Sequence, residues 1–146
     1  MHVYRVGLWL VLTSLILVHA PVQAEWIALE ARYQLHPLQT AYVDPGTIHR
    51  EGHLVAFSAL IDWKTMQGGR SPTRFLSTKL SKQFDCERKR ARSLASIDFD
   101  GHTGTGEPID GNGYLGGGIW LDVTPLSLDQ GLWETACRAG LPVDRQ

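Results

Sequence analysis

Cysteine is scarce in this chain: Cys86 and Cys137 are its only two. That excludes a four-thiolate zinc site and a disulfide-scaffold miniprotein. No Cys-x-x-Cys occurs, which argues against thioredoxin-like redox chemistry. A dominant charge of one sign is also missing. The 146 residues carry 14 Lys and Arg against 15 Asp and Glu, with a pI near 6.6, so no long-range field draws nucleic acid to the chain. The extended apolar run at Val6–Val18 has only 13 residues. As a helix it rises about 20 Å, too short for a bilayer core of about 30 Å. Three catalytic signatures are absent: the Gly-x-Ser-x-Gly elbow, the phosphate loop ending in Gly-Lys-Ser/Thr, and His-Glu-x-x-His. What remains is 43% hydrophobic content, ordinary for a folded domain and too high for a disordered polymer.

The first 24 residues read as a leader rather than as part of the fold. Arg5 supplies a cation, Val6–Val18 the apolar region, and Val22 and Ala24 the small residues at −3 and −1 of a cleavage site. Cleavage after Ala24 is expected to leave a single domain, residues 25–146, with 13 cations and 15 anions. No cysteine follows the apolar run, which argues against a lipid anchor. Export by the general secretory route places Cys86 and Cys137 in an oxidising compartment, where a lone pair bridges. The 52-residue loop they close is worth about 4 kcal/mol on chain-entropy arithmetic.

Alternation dominates the mature chain. Trp26–Leu35 places Ile27, Leu29, Ala31, Tyr33 and Leu35 on one parity, which predicts a half-buried strand. Asp44-Pro45-Gly46-Thr47 has turn chemistry, and Glu51-Gly52 predicts a second turn. His53–Trp63 aligns Val55, Phe57, Ala59, Ile61 and Trp63 on one face and is the clearest strand; Lys64–Pro72 reads as a loop. Thr73–Cys86 fits a strand or one helical face through Leu76, Leu80 and Phe84, and its Ser and Thr content favours strand. Glu87–Asp100 alternates Ala91, Ala95, Ile97 and Phe99 against polar residues. Gly101–Gly118 holds 8 glycines in 18 residues, which predicts a mobile loop, with Ile119–Val123 returning as a short strand. Ser127 then caps a terminal helix with an apolar stripe of Leu128, Leu132, Trp133 and Ala136, ending at Gly140 with Pro142 beyond. The expected fold is mainly β (α+β): an antiparallel sheet with one C-terminal helix tied to a strand by the Cys86–Cys137 disulfide.

Candidate chemistry is sparse. His49-Arg50-Glu51-Gly52-His53 invites a zinc reading, but a turn at Glu51-Gly52 would splay the two histidines. Asp98, Asp100 and Asp110 hint at calcium without the spacing of a twelve-residue loop. His36, His49, His53 and His102 are the mature histidines, and a hydrolase using His102 in the glycine-rich loop is a third reading. The expectation is therefore no catalytic residue, no metal and no cofactor. The strongest feature is the basic run Arg88-Lys89-Arg90-Ala91-Arg92. On a strand, Arg88, Arg90 and Arg92 project to one side every ~6.5–7 Å, a ladder suited to sulfated glycan, anionic headgroups or an acidic protein segment. The competing reading is a solvated outer face, partly paired with acids of a neighbouring strand.

An ordered set of residues resembles the surface-adhesin E family of small exported proteobacterial proteins. It comprises Trp26, Tyr42-Val43-Asp44-Pro45 with Ile48, Asp62-Trp63, Ser77-x-Lys79, Phe84-Asp85-Cys86, the basic run, Gly104 and Gly106, and Leu132-Trp133 leading to Cys137. The resemblance implies an antiparallel β fold with a disulfide, and a non-enzymatic binding protein adhering to host matrix or serum proteins such as laminin, vitronectin and plasminogen. Absence of a lipid-attachment cysteine keeps an alternative open: a soluble periplasmic envelope-associated protein with a bacterial partner. The sequence leaves room for a homodimer through an exposed sheet edge.

Overall fold

A computed structural model describes residues 23–70, 73–109, 114–115 and 117–139. Most of the expected leader, Pro72, Asp110, Gly111, Gly113, Gly116, Gly140 and Pro142 lie outside the described residues. The strands are β1 (Ile27–Ala28), β2 (Gln39–Glu51), β3 (Leu54–Gln67), β4 (Phe75–Asp85), β5 (Arg90–Phe99), β6 (Tyr114–Leu115) and β7 (Leu121–Asp122). They form one antiparallel sheet in the order β1-β2-β3-β4-β5-β6, with β7 also pairing β5. The helix α1 (Leu128–Arg138) packs across one face. The mainly β fold with a single C-terminal helix is as the sequence predicts.

Register puts the apolar parities of β2, β3 and β4 in one layer, but the expected face of Glu87–Asp100 is split. A bulge opposite Ser81 and Lys82 leaves Ala91 in that layer and turns Ala95, Ile97 and Phe99 to the other face. Val55 faces Phe84 and Ala59 faces Leu80 between β3 and β4, while Phe84 faces Ala91 across β5. With Ala41 and Val43 of β2 they meet Leu132 and Ala136 of α1 in the buried core. Phe57 and Phe84 stack with centroids 5.3 Å apart. Ser127 caps α1 by accepting from the Gln130 N–H at 3.1 Å, and Asp129 occupies the first turn. At the other end Arg50 of β2 donates to the carbonyls of Cys137 and Ala139 at 3.2 and 3.0 Å, satisfying acceptors that helix geometry leaves open. The Cys86–Cys137 disulfide joins the residue after β4 to the last turn of α1.

Four further expectations need correction. Trp26–Leu35 is not one strand: only Ile27 and Ala28 pair with β2, and Ala31–Tyr33 forms a 3₁₀ turn. The Gln34 side chain replaces the missing ladder, accepting from the Ala41 N–H at 2.8 Å and donating to the carbonyls of Leu29 and Ala41 at 2.9 Å each. Leu29 and Tyr33 alone of that parity are buried, a spacing of four that suits a turn. Second, Asp44–Thr47 does not end a strand. Its turn chemistry makes a bulge inside β2, where Asp44 accepts from the Gly46 N–H at 3.0 Å and Thr47 Oγ1 accepts from the Ser58 N–H at 2.9 Å. Third, Lys64–Pro72 is not all loop, because β3 continues to Gln67.

Fourth, the described part of Gly101–Gly118 is not a free loop. A 3₁₀ turn at His102–Gly104 folds over the sheet face opposite α1, and Ile109 N–H returns to the Asp98 carbonyl at 2.8 Å. This turn covers Leu60, which is fully buried, and Asp62 anchors it by accepting from the Thr103 N–H at 2.7 Å. Farther on, Gly118 N–H meets the Ser93 carbonyl at 2.8 Å. A Cβ at Gly118 would sit 2.6 Å from that oxygen, so only glycine permits the approach. The short return strand is β7, which with β6 covers the β5 edge, while β1 and Gln34 cover part of the β2 edge.

Candidate binding surface

The basic run divides between a turn and a strand. Asp85 ends β4, and its Oδ1 accepts the N–H groups of Glu87 and Arg88 at 3.1 and 2.9 Å. Lys89 then takes φ +51° to close the hairpin, and β5 begins at Arg90. Arg88 and Lys89 are therefore exposed at the hairpin tip, and the expected three-rung ladder is corrected to two rungs, Arg90 and Arg92. Parity breaks because a tight hairpin needs the residues that the ladder would have used.

Trp120 organises the two strand arginines. Its ring lies 4.7 Å from the Arg92 guanidinium carbon and 5.4 Å from that of Arg90, within the range of cation–π attraction. The Gly118 approach carries the 117–123 segment along β5 and delivers this tryptophan. Sequence reasoning passed over Trp120; the available signal was an aromatic two residues after a glycine run beside a basic strand.

The cations are not equivalent. Arg90 Nη2 is 3.2 Å from Asp85 Oδ2, and the Asp85 side chain is only 3% exposed. Burial pushes the Asp85 carboxyl up, but the Arg88 N–H, the Arg90 guanidinium and the Glu87 N–H outweigh it and hold it below its ordinary value. Arg90 is thus a structural counter-ion. Arg92 donates through Nε to the neutral Gln83 Oε1 at 2.8 Å and pairs with no carboxylate among the described residues. Lys89 Nζ lies 5.2 Å from the Trp133 ring centroid. The surface consequently offers Arg92 beside Trp120, with Arg90 as its frame, and Arg88 and Lys89 exposed at the adjoining hairpin tip. Next to it, Ala91, Ile119 and Leu121 with the Lys82–Asp129 ion pair line a groove of about 430 Å³.

The other candidates are dispersed. His49 pairs with Glu51 at 3.0 Å and His53 with Glu87 at 3.7 Å. His36 meets the Trp63 ring edge-on. Asp98 accepts from Thr78 Oγ1, Asp100 accepts from the Glu107 N–H, and Asp110 lies outside the described residues. Among the described residues no three His, Cys, Asp or Glu side chains group as metal ligands. His102 Nδ1 lies 3.2 Å from each Asp62 oxygen. The nearby Ser77 hydroxyl instead donates to the Gly101 carbonyl at 2.6 Å and accepts from Gly104 at 2.9 Å. A histidine and a carboxylate are therefore brought together, with the hydroxyl bonded elsewhere.

These features define a class: a single disulfide-braced antiparallel sheet, helix on one face, presenting a cation-and-tryptophan edge. Residues 26–138 match the family described as Surface-adhesin protein E, and the chain belongs to that family. Solved relatives share the fold. Crystal form II of Haemophilus influenzae protein E superposes with a TM-score of 0.60 at 15% identity, covering 80% of this chain and 89% of that one. Protein E from non-typeable Haemophilus influenzae gives 0.59 at 16% identity, covering 80% and 77%. No curated protein matches the sequence. Among the described residues no helix is long and apolar enough to cross a membrane.

Proposed function

We propose that the protein is an exported surface adhesin that binds host matrix or serum proteins, of the laminin, vitronectin and plasminogen kind, without catalysing a reaction. Family membership supports the adhesive class. The observation that carries the binding surface is Arg92 beside Trp120, paired with no carboxylate among the described residues, with the exposed cations Arg88 and Lys89 on the adjoining hairpin tip. Arginine and tryptophan are the side chains that most often anchor protein interfaces. An acidic segment of a partner, or a sulfated glycan carried on it, meets donors already oriented by Gln83 and the indole ring.

The test is binding of the purified protein to immobilised laminin and vitronectin across a salt series. Wild type is expected to bind in a salt-sensitive manner. A variant combining Arg88→Glu, Lys89→Glu and Arg92→Glu is expected to bind at least about tenfold more weakly, with its melting temperature little changed. Arg90 is left intact because its loss would unpair Asp85. Unchanged affinity in the triple variant would remove this surface from the account.

A further inference from the structure

Five cations of the described residues are half-buried: Arg50, Lys79, Lys82, Arg90 and Arg92. Four have a partner in the fold. Arg50 donates to carbonyls of α1, Lys82 pairs with Asp129, Arg90 with Asp85, and Arg92 with Gln83. Lys79 has none. Its cross-strand neighbours are apolar on both sides, Leu60 of β3 and Ile97 of β5. The carboxylate nearest in register, Asp62, is already bonded to His102 and the Thr103 N–H. The Lys79 stem is thus packed between apolar neighbours while its ammonium is left for an anion from outside the fold.

Lys79 lines a pocket of about 300 Å³ on the sheet face opposite α1. The rings of Trp26 and Phe99 and the 103–105 loop line it too, as do Gln23 and Ala24. Cleavage after Ala24, expected from the sequence, would remove those last two and open the pocket to a cleft lined by Lys79, Trp26, Phe99 and the 103–105 loop. One cation and two aromatic residues along an open cleft match a ligand with an anionic end and an apolar body. The planar rings suit an aromatic or branched apolar group, and a carboxylate supplies the acceptor that the ammonium lacks.

We propose that Lys79, Trp26 and Phe99 form a binding site for an apolar carboxylate, distinct from the Arg92–Trp120 surface. Two sources share that chemistry: the C-terminal residue of a partner peptide and a small free acid. Selection rests on charge at one end and aromatic contact at the other.

The exported protein, purified after its natural processing, should be titrated with 4-phenylbutyrate, with the acetylated tetrapeptide AGAF bearing a free carboxylate, and with its C-terminal amide. Amide resonances of Trp26, Phe99 and Thr103 are expected to shift saturably with both acids. The peptide amide should bind at least about tenfold more weakly than the peptide acid. Lys79→Met should weaken both acids by a similar factor while leaving the melting temperature little changed, because the ammonium has no partner among the described residues. Tighter binding of the peptide assigns the site to chain termini; tighter binding of phenylbutyrate assigns it to small acids. The proposal is overturned if neither acid gives saturable shifts at these residues up to millimolar concentration. It is equally overturned if Lys79→Met or the peptide amide binds as well as its parent.

Discussion

Asp85 and Arg90 face each other across the β4–β5 hairpin, carboxylate to guanidinium at 3.2 Å. The same carboxylate gathers two N–H groups of the turn that carries Arg88 and Lys89. One buried acid thus sets the hairpin shape and neutralises one rung of the basic run. The remaining cations are left outward, where they can meet a partner.

Asp85→Ala should therefore be costly. It leaves two turn donors and a partly buried guanidinium without their acceptor, a loss of about 3 kcal/mol. Urea denaturation measures it. Asp85→Asn keeps the acceptor for the turn and should cost less, about 2 kcal/mol, chiefly through Arg90. A double-mutant cycle with Arg90→Gln should show coupling between the two sites.

Acid should destabilise the fold in a defined window. Asp85 lies below its ordinary value of 3.8 for the reasons given, and Glu134 lies below 4.5 because the Gln130 amide and the Tyr33 hydroxyl donate to it. A depressed folded-state pKa means that the unfolded chain binds protons more readily. Both contributions are complete above the unfolded-state values and vanish as pH falls through the folded ones. Stability from these groups should be flat above about pH 5 and decline below about pH 4. Asp85→Asn should flatten part of that decline in pH-dependent melting.

Gly131 sits inside α1, where alanine would ordinarily gain about 1 kcal/mol of helix propensity. Here a Cβ would lie 2.6 Å from Tyr33 Cγ and 2.9 Å from Leu29 Cδ2. Gly131→Ala should accordingly destabilise by about 1–3 kcal/mol net. Gly69→Ala, with no atom within 4 Å of its Cβ, is the control and should change the melting temperature little.

Much of the architecture was legible because it rests on period-two burial. Val55, Phe57, Ala59 and Ile61 read directly as one face of β3, and Ser127 as the cap of α1. Trp26–Leu35 misled because alternating parity does not distinguish a strand from a turn whose Leu29 and Tyr33 dock on Gly131. The missing ladder is supplied by the Gln34 side chain, which no pattern of hydrophobicity records. At the site, the run from Arg88 to Arg92 was visible as charge. Its division into a structural Arg90 and an available Arg92 depends on Asp85 and Gln83 across the hairpin. Trp120 joins them only because Gly118 tolerates contact with Ser93.

Loss of the disulfide should release the helix before the sheet. A Cys86→Ser, Cys137→Ser variant frees a crosslink spanning 51 positions and should lose about 4 kcal/mol. Arg50 and the packing of Leu132 and Ala136 still hold α1. Circular dichroism should retain the β signal with an earlier loss of helical signal on heating. Fully cooperative loss of both would contradict that order.

The central claim, an adhesin acting at the cell surface, is tested most directly by protease accessibility. Intact cells of the producing bacterium should be treated with protease beside cells whose outer membrane has been permeabilised. The account predicts cleavage of this protein on intact cells, with a periplasmic control protected. Protection of both until permeabilisation would contradict it and place the protein in the periplasm with a bacterial partner.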